Sequence, residues 1–357
     1  MDFLRLIGYI TCAEPFALRS DNYSTEAHTN GCIEKPTLKK QNMAHLNIIA
    51  RTNGVGLDRD VDLLHETLTS AGYDVTISHC RSISPLRRIL PSKPSFDANI
   101  FLERVFPRWF GSARQNLLIP NQERFPKRHL KHLKHIDRVL CKSHHAEDIF
   151  SGLAYLTQYI GFTSSDLLDE TIKPDYQSFF HLAGRSTLKG TETILGLWNK
   201  HPEWPLLTIV QCKENAPLRV PANVKLITDY IPHEEIKTHL NTHGIHLCPS
   251  LSEGWGHYIV EAMSCRAVVV TTDAPPMSEL ITPARGVPVP YHHSEPRHLG
   301  TNFHVDPEKL EKNIEQLLLM PTEKKATLGK HARTWFEEND TTFRRKLPQA
   351  LEDILKS

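Results

Sequence analysis

The chain has 357 residues, with 42 Lys or Arg against 41 Asp or Glu, for a formal net charge of +1. That balance excludes a globally basic nucleic-acid coat and an acidic disordered solvator, leaving room for a local charged patch only. The length predicts two domains, and a mean hydropathy of −0.37 with no run of 18 apolar residues excludes a membrane-spanning helix.

Phe3 to Cys12 is apolar, but Arg5 interrupts it, Asp2 replaces a positive start and no A-x-A site follows. It does not read as an export signal. Residues 13–43 are polar and aperiodic. Residues 1–43 are therefore expected to be a poorly ordered extension, or to precede a true start at Met43.

From His45 the chain alternates strands and helices. Leu46–Ala50 reads as a buried strand and Asn53-Gly54-Val55-Gly56 as a turn. Val61, Leu64 and Leu68 keep helical spacing over residues 58–71, and Gly72 ends that helix. Strands are predicted over residues 73–78, 99–102, 116–119 and 138–141, then a helix over 144–153. Residues 163–177 break the rhythm and read as a linker. Strands follow over 179–184, 206–211, 224–227, 245–248 and 267–271, with helices over 191–200 and 258–265. From Asp306 the chain reads as mostly helical. The pattern is α/β, with parallel sheets covered on both faces. Ligands in such sheets bind beyond the carboxyl ends of the strands. The predicted organisation is a first domain at 44–165, a linker at 166–177, a second domain at 178–335 and a helix at 336–357 that crosses back to the first domain.

Seven scattered cysteines, at 12, 32, 80, 141, 212, 248 and 265, form no CxxC pair. This argues against a disulfide framework and a zinc ribbon. Cys141, Cys212 and Cys248 adjoin apolar strands and read as buried thiols, which suits a reducing, cytoplasmic compartment.

The strongest chemical signal is Cys248-Pro249-Ser250-Leu251-Ser252-Glu253-Gly254-Trp255-Gly256-His257-Tyr258-Ile259-Val260-Glu261. A strand ends, a glycine-containing turn follows and a helix opens near Gly256. Helix starts offer unpaired amides and a positive dipole end, which suit phosphate. Gly254 and Gly256 let a ligand approach the backbone. Glu253 and Glu261, separated by seven residues, can accept hydrogen bonds from hydroxyls at two places on one ligand. A sugar, a diphosphate and a ribose fit that description.

This segment resembles the donor-site motif of the retaining GT-B glycosyltransferases of family 4, which has two glutamates with seven residues between them and a Gly-aromatic-Gly after the first. The resemblance runs forward through Arg266–Thr272. It reaches back to Gly184-Arg185-Ser186-Thr187-Leu188-Lys189-Gly190, similar to that family's phosphate clamp, and to Asp229-Tyr230-Ile231-Pro232, similar to its base-contacting turn. It implies two Rossmann-like domains facing across a cleft and a hexosyltransferase-like transfer from a nucleotide-diphosphate sugar, with no bound cofactor. Glu261 would hold the ribose and Glu253 the sugar hydroxyls. Arg185 and Lys189 would neutralise the leaving diphosphate. Gly184, Gly254, Trp255, Gly256, His257 and Ile231 complete the implied donor site, and Gly54 and Gly56 face the phosphate from the first domain. A GT-B-like epimerase, a phosphorylase and a non-catalytic nucleotide-sugar binder remain alternatives.

Asp58-Arg59-Asp60 spells a DxD but begins a helix, where acids are favoured anyway, so no metal is assigned to it. His129, His132 and His135 recur in steps of three, which drift around an α-helix. They read as a solvated basic helix rather than a metal site. Residues 103–142 hold ten Lys or Arg against three acids, with Phe106, Trp109, Phe110 and Phe125 interleaved. That patch suits an anionic acceptor (a glycan, a phosphorylated lipid or a nucleic acid) or peripheral contact with a membrane. Glu103, Asn121 and Glu123, at strand ends, are the candidate acceptor contacts.

Overall fold

The computed structural model describes residues 44–51, 56–82 and 93–356. The expectations for residues 1–43 and for Gly54 lie outside them. In chain order the first half contains β1 (His45–Ala50), α1 (Gly56–Ser70), β2 (Asp74–His79), β3 (Phe96–Glu103), β4 (Ala113–Pro120), β5 (Arg138–Cys141), α2 (His144–Gly152) and β6 (Thr157–Tyr159). The second half contains β7 (Asp175–Gly184), α3 (Thr191–Lys200), β8 (Leu207–Gln211), β9 (Val224–Ile227), α4 (His233–Thr242), β10 (His243–Cys248), α5 (His257–Ser264), β11 (Val268–Thr272), α6 (Met277–Leu280) and β12 (Val287–Val289). A hairpin, β13 (Tyr291–Arg297) and β14 (Gly300–Val305), precedes α7 (Pro307–Leu319) and α8 (Thr322–Lys356).

Two six-stranded sheets result, ordered β2-β1-β3-β4-β5-β6 and β12-β11-β10-β7-β8-β9. Every strand pair in both is parallel. Parallel strands need helical crossovers and are covered on both faces, so their sequences are continuously apolar rather than alternating. In β1, Leu46, Ile48 and Ala50 enter one apolar cluster while Ile49 enters another on the opposite face. Each fully buried Leu or Ile contributes about 1.5–3 kcal/mol. Two Rossmann-like α/β halves of this kind are the GT-B architecture.

One apolar cluster joins the halves. It runs from Ile100 and Leu117 of the first sheet through Phe162, Trp255 and Ile259 to Phe343 and Leu347 of α8. Helix α8 begins against the second sheet and ends on the first, where Gln115 Nε2 donates to the Ile354 carbonyl at 2.9 Å and Tyr73 Oη to the Pro348 carbonyl at 3.3 Å. Alongside it, the segment joining the sheets is tied down. Asn339 Nδ2 donates to the Phe162 carbonyl (2.8 Å), Thr163 Oγ1 to Asp340 Oδ1 (2.9 Å), and Arg333 pairs with Asp166 (2.6 Å).

Three expectations are corrected. His129, His132 and His135 lie on a 3₁₀ segment, Lys127–His135. With three residues per turn, steps of three eclipse instead of drifting. The face stays basic and solvated, with Lys127, Arg128, Lys131, Lys134 and His135 exposed and His129 and His132 half-covered, although the His135 ring lies 4.9 Å from the Phe110 centroid and that of His129 6.0 Å from Phe125. The interleaved aromatics are core rather than surface: Trp109 and Phe125 are buried, and Phe106 and Phe110 pack against the same cluster. Cys212 is only half-covered, because it lies past the end of β8 and starts a short 3₁₀ turn, whereas Cys141 and Cys248 are buried.

Candidate active site

The carboxyl ends of both sheets meet at a cavity of about 470 Å³, a volume suited to a nucleotide-sized ligand. From the second half it is lined by Gly184, Arg185 and Lys189 after β7, and by Glu253 to Tyr258 after β10. From the first half, Arg59 and Asp60 of α1, Glu103, Asn121, Glu123 and Lys142 reach it.

Local sequence explains the placement. The chain leaves β10 at Cys248 and turns through Ser250–Gly256, and α5 opens with Gly256 as its N-cap at φ 107°, a conformation in which any side chain is strained. Gly254 is needed for a different reason. A Cβ there would lie 2.5 Å from the Asn121 side chain of the opposite half, so the absence of a side chain lets the halves touch. Glu103 ends β3 at φ 67°, a strained backbone for a residue with a side chain, of the kind that clusters at functional sites.

The charged groups are already engaged with one another. Lys189 Nζ lies 2.5 Å from Glu253 Oε1 and 3.6 Å over the Tyr258 ring. Ser250 Oγ donates to the same Glu253 oxygen at 2.5 Å. The cation expected at the diphosphate and the acid expected at the sugar thus form one pair. Arg185 is exposed at the rim, and its guanidinium makes no ion pair among the described residues.

A second network crosses between the halves. Asp60 is 3% exposed and takes Lys142 Nζ at 2.5 Å on one oxygen and His257 Nε2 at 2.8 Å on the other. Burial raises its pKa, but the charge of Lys142 and the hydrogen bond from His257 outweigh that and hold it below the usual carboxylate range. Ser164 Oγ meets the other ring nitrogen of His257 at 2.8 Å and accepts from Trp255 Nε1 at 3.2 Å. Lys142, counted in the basic patch, is 2% exposed and belongs to this interior network.

Glu123 is the most perturbed acid lining the cavity. Burial, with the charge of Glu253 adding to it, raises its pKa to about 7 against the smaller pull of Arg124. Its Oε2 is buried without a hydrogen-bond partner.

Glu261 does not line the cavity. It sits in the second turn of α5, 1% exposed, with Arg59 Nη1 2.6 Å from its Oε1 and its Oε2 unpartnered. Arg59 covers it and lines the cavity in its place. Ile231 is also outside the cavity, because it precedes α4 and packs toward Phe180 and Leu240. Gly56 is the first residue of α1. Sequence reading missed the roles of Arg59, Asp60 and Lys142. The DxD flagged the first two for a metal, and Lys142 was one charge in a long basic run.

Residues 214–335 match the family described as glycosyl transferases group 1. Among solved structures, a glycosyltransferase from Rickettsia africae aligns with TM-score 0.69 at 14% identity, over 88% of this chain and 100% of its own. Sucrose-phosphate synthase from Thermosynechococcus elongatus gives 0.65 at 16% identity, over 88% and 99%. Anabaena HepE, solved in complex with UDP and glucose, gives 0.64 at 14% identity, over 87% and 100%. No curated protein matches the sequence. Fold, cavity and matched segment together define a glycosyltransferase of GT-B architecture. At the level of family, the matched segment is that of the group 1 enzymes.

Proposed function

We propose that the protein is a retaining, family 4 glycosyltransferase that moves a hexose from a nucleotide-diphosphate sugar to an anionic acceptor in the cytoplasm. The observation that carries this reading is the meeting of Lys189, Arg185 and Glu253 with the start of α5 at one cavity wall, opposite Glu123 and Asn121. Cations beside a helix N-terminus favour a diphosphate, and their benefit grows as charge develops on the leaving group. In the proposed reaction the C1–O bond to the β-phosphate breaks while the acceptor oxygen bonds C1 on the same face. The acceptor's proton passes to the departing phosphate oxygen. No bound cofactor is required. UDP-glucose is the first donor to test, because Anabaena HepE was solved in complex with it.

An anionic acceptor is supported by basic groups near the cavity, two of which, Arg104 and Arg124, pair with the lining acids Glu103 and Glu123. Burial and the charges of Arg297, Arg104, Arg128 and Arg124 hold His298 below the usual imidazole range. Those guanidinium groups come from three separate segments, and Arg124 also lines the cavity. The test begins with a panel of nucleotide sugars scored by thermal shift, since a ligand that binds the native state raises its melting point. Transfer is then assayed with the best donor. Ribose contact at Glu261 requires Arg59 to share or release that carboxylate. Glu261→Ala should therefore weaken nucleotide binding measured by calorimetry, and unchanged affinity would refute the role.

A further inference from the structure

We propose that the β13–β14 hairpin carries a divalent transition-metal site whose protein ligands are His293, Glu295 and His304. His293 and Glu295 are two apart on one strand and so project from the same face. His304 is the direct cross-strand partner of His293 in the antiparallel register. The three side chains thus converge by strand geometry, from positions 11 residues apart at most. Their ligand atoms all lie within 4.8 Å of one another, and His304 Nε2 is 3.6 Å from Glu295 Oε1. A tetrahedral ion with metal–nitrogen bonds of about 2.0–2.1 Å needs donors roughly 3.4 Å apart, so closure requires only small rotamer changes.

The donor set selects the ion class. Two imidazoles and one carboxylate suit zinc, cobalt or nickel rather than magnesium or calcium, which prefer all-oxygen shells. Glu295 and His293 are exposed, leaving the remaining coordination position open to water. The carboxylate is also oriented from behind. Asn302, 6% exposed, donates to Glu295 Oε1 at 3.1 Å and accepts from Ser252 Oγ at 3.1 Å. Such supporting partners are typical of built metal sites.

Two other histidine groups serve less well. His201, Glu311 and Glu315 also lie close together, but Glu311 already holds Lys200 at 2.7 Å and His201 at 2.6 Å, so an incoming ion must displace a lysine. His129 and His135 are committed to ring contacts with Phe125 and Phe110.

The hairpin reaches both halves of the molecule. Leu299 N donates to the Gln122 carbonyl at 3.2 Å, and Phe303 N to the Leu251 carbonyl at 2.7 Å. An ion clipping β13 to β14 would stiffen the strands that connect the Ser252 loop to Gln122. The site stands independently of the sugar-transfer reading and touches none of its reacting groups.

The experiment uses the full chain, stripped with EDTA and dialysed, then titrated with Zn²⁺ by calorimetry and with Co²⁺ by visible absorption. One ion should bind per hairpin, with the intense d–d bands of a low-coordinate cobalt centre. His293→Ala/His304→Ala should lose at least 100-fold in affinity, and Asn302→Ala about 10–100-fold. His129→Ala/His132→Ala should leave the site unchanged. Equal melting in EDTA establishes that the variants are folded. Should the double variant melt early, Glu295→Gln supplies the same comparison. Absence of binding, retention of full affinity in the hairpin variants, or loss of the ion on Glu311→Gln instead would each overturn the proposal.

Discussion

Glu123 offers the most quantitative test of the cavity's electrostatics. Its carboxyl moves from an ordinary 4.5 to about 7 on folding, chiefly through burial. A raised carboxylate pKa means that the native state binds the proton more tightly than the unfolded chain does. Stability from this group is therefore complete below pH 4.5 and falls as pH rises through 7. At about 1.36 kcal/mol per unit, the penalty approaches roughly 3 kcal/mol above pH 8. Glutamine keeps the shape and cannot ionise, so Glu123→Gln should escape that penalty. Urea unfolding of wild type and variant at pH 5 and pH 8 is the assay. Common titrations cancel in the difference, and the variant should gain about 2.5 kcal/mol relative to wild type between those two values. A pH-independent difference between the two proteins would show that Glu123 is ionised in the native cavity, and the reasoning would fail.

Three further outcomes are expected. Lys142→Met leaves Asp60 buried with His257 alone, which should cost about 3–5 kcal/mol at pH 7 in denaturant unfolding. That deficit should shrink as pH falls and Asp60 protonates, and Asp60→Asn in the same chain should recover most of it. Gly329→Ala should lower the melting temperature even though alanine favours helix by about 1 kcal/mol. A Cβ there would overlap the Arg266 carbonyl oxygen and lie 2.7 Å from Tyr176 Oη, an overpacking worth about 1–3 kcal/mol; a raised melting temperature would contradict the packing described. Arg185→Ala with Lys189→Ala should cut sugar transfer far more than it lowers melting, and full transfer by this double variant would remove both from the diphosphate.

The strands of both sheets were legible because parallel sheets bury both faces: Ile48–Ala50 and Val268–Val270 are uninterrupted apolar runs, and the polar Asn47 before the first is buried with its amide donating to Asn99. The hairpin was not. Residues 291–296 of β13 are exposed, so neither alternation nor a hydrophobic run marks it, and only its backbone pairing with β14 makes it a strand. The helix type of Lys127–His135 was equally hidden, since i, i+3 spacing gives opposite readings for α and 3₁₀ geometry. At the site, the turn from Ser250 to Gly256 could be read from glycines and acids adjacent in sequence. The pairs Arg59–Glu261 and Asp60–Lys142 could not, being 202 and 82 residues apart. No local pattern announces which distant charge will face a buried carboxylate.

Helix α8 and the segment after Phe162 run between the sheets side by side and are stitched together by Asn339, Asp340 and Arg333. Two chain crossings fastened to each other thus act as one connection between the halves. Separation of the halves would part Arg59 from Glu261 and Asp60 from His257. It would also pull the Glu279 carboxylate off the first amides of α2, His144 N and His145 N, each now 2.8 Å away. The Arg59–Glu261 and Asp60–His257 pairs are largely buried, and salt screens buried charges little, so added salt should weaken the more exposed Arg333–Asp166 stitch before it loosens them.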